Sequence, residues 1–176
     1  MNMDILRPIV KSLYNRLFAD EIEAKDQEIS DLKASLERVK TRKQLDFPTP
    51  LGNINIVELY TLLKIVGKDV YISDESLNLT NTESASKFSE ETAVQYKKWV
   101  QEDHDCDNFS FALMGYWSES LKSFAFGIAW SAKHAFNIMV DNNRTIWIIE
   151  PQSNKWTKYE DIKANDLYYP IRLILM

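Results

Sequence analysis

From Phe18 the apolar positions recur in a heptad, with Ile22, Ile29 and Leu36 at a and Phe18, Leu32 and Val39 at d, interrupted by Lys25. This spacing lines one face of a helix with an apolar seam. Upstream, Leu6, Ile9, Val10, Leu13, Tyr14 and Leu17 make a broader stripe, so residues 1–46 read as a long amphipathic helix that stops near Leu45, ahead of Phe47-Pro48-Thr49-Pro50. Glu28 at g and Lys33 at the following e have the signs of an interhelical pair, and Arg38, Lys40, Arg42 and Lys43 crowd the end where the dipole favours cations. Two readings of the seam stay open. The helix folds back on its own domain, or it is a short coiled coil that self-associates or docks on a partner helix through residues 18–39.

Past the prolines, Ile56, Leu59, Tyr60, Leu63 and Val66 fall at helical spacing, and Gly67 supplies a stop, which predicts a helix over residues 54–66. Asp69 to Ser73 reads as a short strand and the Ser-, Thr-, Asn- and Glu-rich stretch from Asp74 to Ser89 as a surface loop. Ser89 then caps a helix through Val100, with Val94 and Trp99 toward the core. A fourth helix is expected to begin at Cys106, because Phe109, Leu113 and Trp117 share one face.

The run His134 to Val140, the turn Asp141-Asn142-Asn143 and the run Arg144 to Glu150 predict a β-hairpin. With a three-residue loop, Val140 faces Arg144 and Glu150 lies opposite His134, close enough for a carboxylate to accept from an imidazole. Residues 156–159 and 169–176 read as two further strands, the second opening on Pro170, where a missing N–H is tolerated.

The 176 residues suit one domain with an appended element, and the division expected is 1–46 for the helix and 47–176 for the domain. Lys and Arg number 21 against 26 Asp and Glu, a formal charge of −5, which lacks the basic footprint of a nucleic-acid or anionic-membrane partner. No apolar run is long enough to span a bilayer and no signal peptide is evident, so a soluble, cytoplasmic protein is expected. Cys106 is the one cysteine, which excludes an intrachain disulfide and a Cys-based zinc site.

A thiol in the first turn of a helix is favoured as thiolate by unpaired N–H groups and the macrodipole, whereas Asp105 and Asp107 oppose this, so a cationic partner is required. His134 supplies it and Glu150 orients the imidazole, giving nucleophile, base and orienter. The oxyanion donor assigned beside the Cys106 N–H is Gln101, with Gln95 and Trp99 as rivals. The alternative gives these residues structural parts: a core thiol, a capping imidazole and a surface carboxylate.

The order of helix-borne Cys, strand-borne His and an acid on the next strand resembles the papain-like and transglutaminase-like thiol enzymes. Within that superfamily, Asp105-Cys106-Asp107-Asn108-Phe109 and Trp147-Ile148-Ile149-Glu150-Pro151-Gln152 look most like the cysteine peptidase domain of the Marasmius oreades agglutinin and related bacterial and phage proteins, over residues 52–160. The resemblance implies an α+β, papain-like fold with the Cys106 helix packed on an antiparallel sheet, and a triad of Cys106, His134 and Glu150. It also implies calcium as a possible cofactor near Asp103, Asp105 and Asp107, which otherwise read as a solvated acidic turn. The function expected is a thiol hydrolase acting on a peptide or amide through an acyl-enzyme. The alternative is a non-catalytic assembly or interaction protein on the same scaffold.

Overall fold

In the computed structural model residues 18–41, 45–100, 105–164 and 166–176 are described, without the side chains at 20, 22 and 34–41. The chain divides into two compact units, Met1–Gln44 and Leu45–Met176.

In the first unit α1 spans Ala19–Thr41. Its solvated face is laced by contacts one turn apart, Lys25 with Glu21 at 3.5 Å and Gln27 donating to Asp31 at 2.9 Å, each adding a few tenths of a kcal/mol at about 0.2–0.5. The helix expected over residues 1–46 is therefore observed as Ala19–Thr41, and residues 1–17 and 42–44 lie outside the described ones. The expected coiled coil is corrected: α1 is described as a single helix with Ile29 and Leu32 exposed.

The second unit is α+β. β1 (Gly52–Asn55) turns at Asn55 into α2 (Ile56–Val66), because the Asn55 side chain accepts the Glu58 N–H at 2.9 Å and caps the first turn. Gly67 ends α2 and opens β2 (Gly67–Tyr71) in extended backbone. What position 67 lacks is room, since a Cβ there would stand 2.6 Å from Ile174 Cδ1.

The expected loop from Asp74 to Ser89 is ordered instead as β3 (Ser76–Leu79), antiparallel to β1, and α3 (Thr82–Glu91). Its polar residues are caps and an outer face. Asn81 accepts the Ser84 N–H at 2.8 Å, while Ala85 and Phe88 enter the core. The helix expected from Ser89 through Val100 is corrected with it. α3 closes where Ala93 takes φ 57°, and only a 3₁₀ turn, Val94–Tyr96, follows. Ser89 is buried, accepting the Trp117 indole N–H at 3.3 Å.

α4 (Cys106–Ser118) precedes β4 (Phe126–Trp130), β5 (Ala135–Val140), β6 (Ile146–Glu150), β7 (Lys155–Lys158) and β8 (Ile171–Leu175). The six-stranded sheet runs β2-β8-β4-β5-β6-β7, antiparallel throughout except for β2 with β8. Side chains alternate between its faces. Phe136, Ile138 and Val140 enter a cluster with Leu59, Leu63 and Ile174, whereas Met139 and Ile149 enter another with Phe109, Leu113 and Trp117 of α4. The sheet thus separates α2 from α4.

Candidate functional site

The hairpin positions the acid–imidazole pair, by a turn longer than its sequence suggests. Val140 pairs with Ile146 and Asn137 with Ile149, so the register is two residues from the expected one and residues 141–145 form the loop. Asp141 causes the difference. Its buried carboxylate accepts the N–H groups of Asn143 and Thr145 at 2.8 and 2.9 Å and the Trp147 indole N–H at 2.9 Å, while Arg144 takes φ 65°. A shift of two leaves every side chain on its original face. Glu150 consequently meets His134 on the diagonal instead of directly across, and the contact survives.

His134 Nε2 lies 2.6 Å from Glu150 Oε2, and the Tyr168 hydroxyl donates to the same oxygen at 3.2 Å. Gln152 N–H donates to Oε1 at 3.3 Å. The His134 and Glu150 side chains are only 13% and 15% exposed, and the imidazole packs near the rings of Phe136 and Tyr168. A carboxylate only accepts, so the imidazole proton belongs on Nε2 and Nδ1 is the nitrogen left over. Burial first, then the charge and hydrogen bond of Glu150, push the Tyr168 phenol up to about 12.

Ser131 fixes the approach to this cluster. Its Oγ accepts the N–H groups of Lys133 at 3.0 Å and His134 at 3.1 Å and donates to the Leu167 carbonyl. One hydroxyl therefore ties the β4–β5 turn to the segment that delivers Tyr168. Neither Ser131 nor Tyr168 stood out in the sequence, because the segments they join are far apart in the chain and carry no shared spacing.

Cys106 opens α4, with Asn108 Oδ1 accepting the Asp105 N–H at 3.1 Å. Phe111 packs near Trp130 and Trp117 stacks on Phe126, so α4 starts at the end of the sheet where His134 precedes β5. It packs on the face bearing Asn137 and Met139, and Asn137 donates to the Ser110 carbonyl at 3.0 Å. The His134 ring lies with Phe136 and Tyr168, which belong to the other face. The structure brings His134 and Glu150 together. Among the described residues no hydrogen bond joins the Cys106 thiol to them.

Gln101 and Asp103 lie outside the described residues. Asp107 hydrogen-bonds with Asp105, and that bond, followed by burial and the Asp105 charge, raises its carboxyl above the ordinary range. No group of three or more metal-binding side chains occurs among the described residues. No described helix is long and apolar enough to cross a membrane.

No family model and no curated protein matches the chain. Solved structures do. A complex of PSL1a with E64 superposes with a TM-score of 0.59 at 17% identity, over 70% of this chain and 51% of that one. The Polyporus squamosus lectin, bound to a human-type influenza-binding epitope, Neu5Acα2-6Galβ1-4GlcNAc, gives 0.50 at 21% identity, over 62% of this chain and 42% of the other. The chain thus spans about half the length of these neighbours or less, and at such identities the likeness shows the fold alone.

These neighbours correct the expected membership. A lectin stands where the papain-like cysteine peptidases, with the Marasmius oreades agglutinin domain nearest, were expected. The expected thiol hydrolase with a peptide or amide substrate is corrected with it, since the neighbour is described as a lectin bound to a sugar epitope. A cysteine at a helix start and an acid–imidazole pair on a hairpin can each serve a structural part as well as a catalytic one. α4 caps one sheet face and the pair closes the other.

Proposed function

We propose that this chain is a non-catalytic interaction module on an α+β scaffold, with carbohydrate as its ligand class. The observation that supports the scaffold reading is the closure of His134, Glu150 and Tyr168 on one another, with one carboxylate oxygen receiving both neighbours. Such a cluster braces the sheet end against the segment following β7. Likeness to a lectin supports the ligand class. The division at 1–46 and 47–176 is part of the proposal, with the folded domain as scaffold and the N-terminal helix as an additional contact element. Association through residues 18–39, with a second copy or a partner helix, belongs to it too.

Titration of the full chain with Neu5Acα2-6Galβ1-4GlcNAc, followed by calorimetry and by changes in the amide spectrum, tests the ligand class. Saturable binding that persists in Cys106→Ser is expected. Absence of binding to this trisaccharide and to its separate sugars would overturn it.

A further inference from the structure

Beside the β5–β6 loop lies an open cavity of about 280 Å³, lined by Arg144, Thr145, Ile146, Tyr159 and Glu160. The loop fixes the first of these. Arg144 takes φ 65°, where non-glycine residues other than Asn and Asp are seldom found, and its N–H donates to the Asp141 carbonyl at 3.0 Å. The guanidinium is then clamped through two of its nitrogens, Nε donating to Glu58 Oε1 at 2.7 Å and Nη2 to the Asn53 carbonyl at 3.3 Å. Nη1 is left over. Among the described residues it has no hydrogen-bond partner, and neither do the hydroxyls of Thr145 and Tyr159. Burial first, then the charge of Tyr169, raise the Tyr159 phenol, so it stays protonated and serves as both donor and acceptor.

We propose that this cavity binds one neutral sugar ring, an assignment that rests on the carbohydrate reading above. Ligand pockets begin at roughly 300 Å³, so the volume limits the occupant to about one ring. A pyranose has an apolar C–H face and a rim of hydroxyls, and the lining divides in the same way. Tyr159 and Ile146 offer carbon to the face, while Arg144, Thr145 and Glu160 offer donors and acceptors to the rim. Neighbouring hydroxyls of one ring can accept from Arg144 Nη1 and donate to the Glu160 carboxylate, and hydrogen bonds to charged groups are the stronger kind. The charges themselves are balanced, since Glu58 pairs with Arg144 at 2.7 Å and Lys158 with Glu160 at 3.5 Å. An anion would meet the Glu160 carboxylate and a cation the Arg144 guanidinium, so a neutral polyol fits better than either. Because the guanidinium is held before any ligand arrives, binding costs little further ordering there. Two other cavities lack this chemistry. One, walled by Trp117 and Phe124, holds only about 160 Å³, and the groove along Val57, Val70 and Ile72 is apolar.

Amide spectra of the full chain titrated with galactose or with N-acetylglucosamine at millimolar concentration should shift first at residues 144–146 and 159–160. Glu160→Gln, a change at an exposed side chain, should weaken binding about tenfold, and Tyr159→Phe, which keeps the ring, about threefold, with both melting curves unchanged. N-acetylneuraminic acid, a single ring that carries a carboxylate, should bind more weakly than either neutral sugar, and tighter binding of it would overturn the proposed ligand. Binding that shifts amides elsewhere, or that both variants leave unchanged, would overturn this site while the carbohydrate reading stands, as would binding of the trisaccharide without either neutral sugar. Absence of binding by the trisaccharide and all three single sugars would overturn both.

Discussion

Oε2 of Glu150 receives both the His134 imidazole and the Tyr168 hydroxyl, so three side chains from separate segments depend on one atom. Replacing Glu150 by Gln removes the charge and weakens both contacts, and the Tyr168 phenol should fall part of the way from about 12 toward its ordinary 10.0, with burial retaining the remainder. Phenolate absorbance, referenced to Tyr168→Phe, measures it. A phenol raised in the folded state contributes stability that is fully present below its unfolded value and lost as pH rises through the folded one. Alkaline unfolding should therefore steepen between 10.0 and about 12, and less so in Tyr168→Phe. Ser131→Ala leaves two N–H groups without their acceptor and should cost about 2 kcal/mol in a denaturant titration. The His134–Glu150 contact was legible in the sequence because hairpin geometry is local. Ser131 and Tyr168 were not, because the fold alone brings residues 131 and 167–168 together.

At the scale of elements, the strands and helices follow from apolar spacing wherever the spacing is local, as in α2, α4 and the β5–β6 hairpin. The hairpin loop came out two residues too short, because the choice of turn depends on the buried Asp141 carboxylate and not on the Asn-Asn pair. Asp141→Ala, which strands two backbone donors and the Trp147 indole, should destabilise by about 3 kcal/mol. The sequence of α3 reads as loop because its polar surface hides a narrow buried stripe of Ala85, Phe88 and Ser89. β4 was not expected, and its position between β5 and the last strand of the chain is a long-range pairing with no sequence signature. That pairing sets a strict demand at Gly127, where a Cβ would lie 2.1 Å from the Leu175 carbonyl oxygen. Gly127→Ala should cost about 3 kcal/mol or prevent folding, while Gly52→Ala, with nothing within 4 Å, should stay within about 0.5 kcal/mol. Thermal melts of the two variants side by side provide the comparison.

Within the second unit, the sheet separates the α4 residues Phe109, Leu113 and Trp117, packed over one face, from Phe136 and Tyr168, which flank the His134 ring and pack on the other. The α+β class was legible from the alternation of helical and strand patterns. The function was not, since the same short motifs serve a reactive site or a braced scaffold, and only their three-dimensional relation bears on the choice. The central proposal is that the chain is a non-catalytic module, in which Cys106 and His134 would not act as a nucleophile–base pair. The most direct test exposes the full chain, His134→Gln and Cys106→Ser to E64 and to iodoacetamide at about pH 6, where an ordinary thiol reacts slowly, and reads adducts by mass spectrometry. The account predicts no adduct with E64 and the same slow alkylation of Cys106 with or without His134. A rapid, selective adduct at Cys106 that disappears in His134→Gln would contradict it.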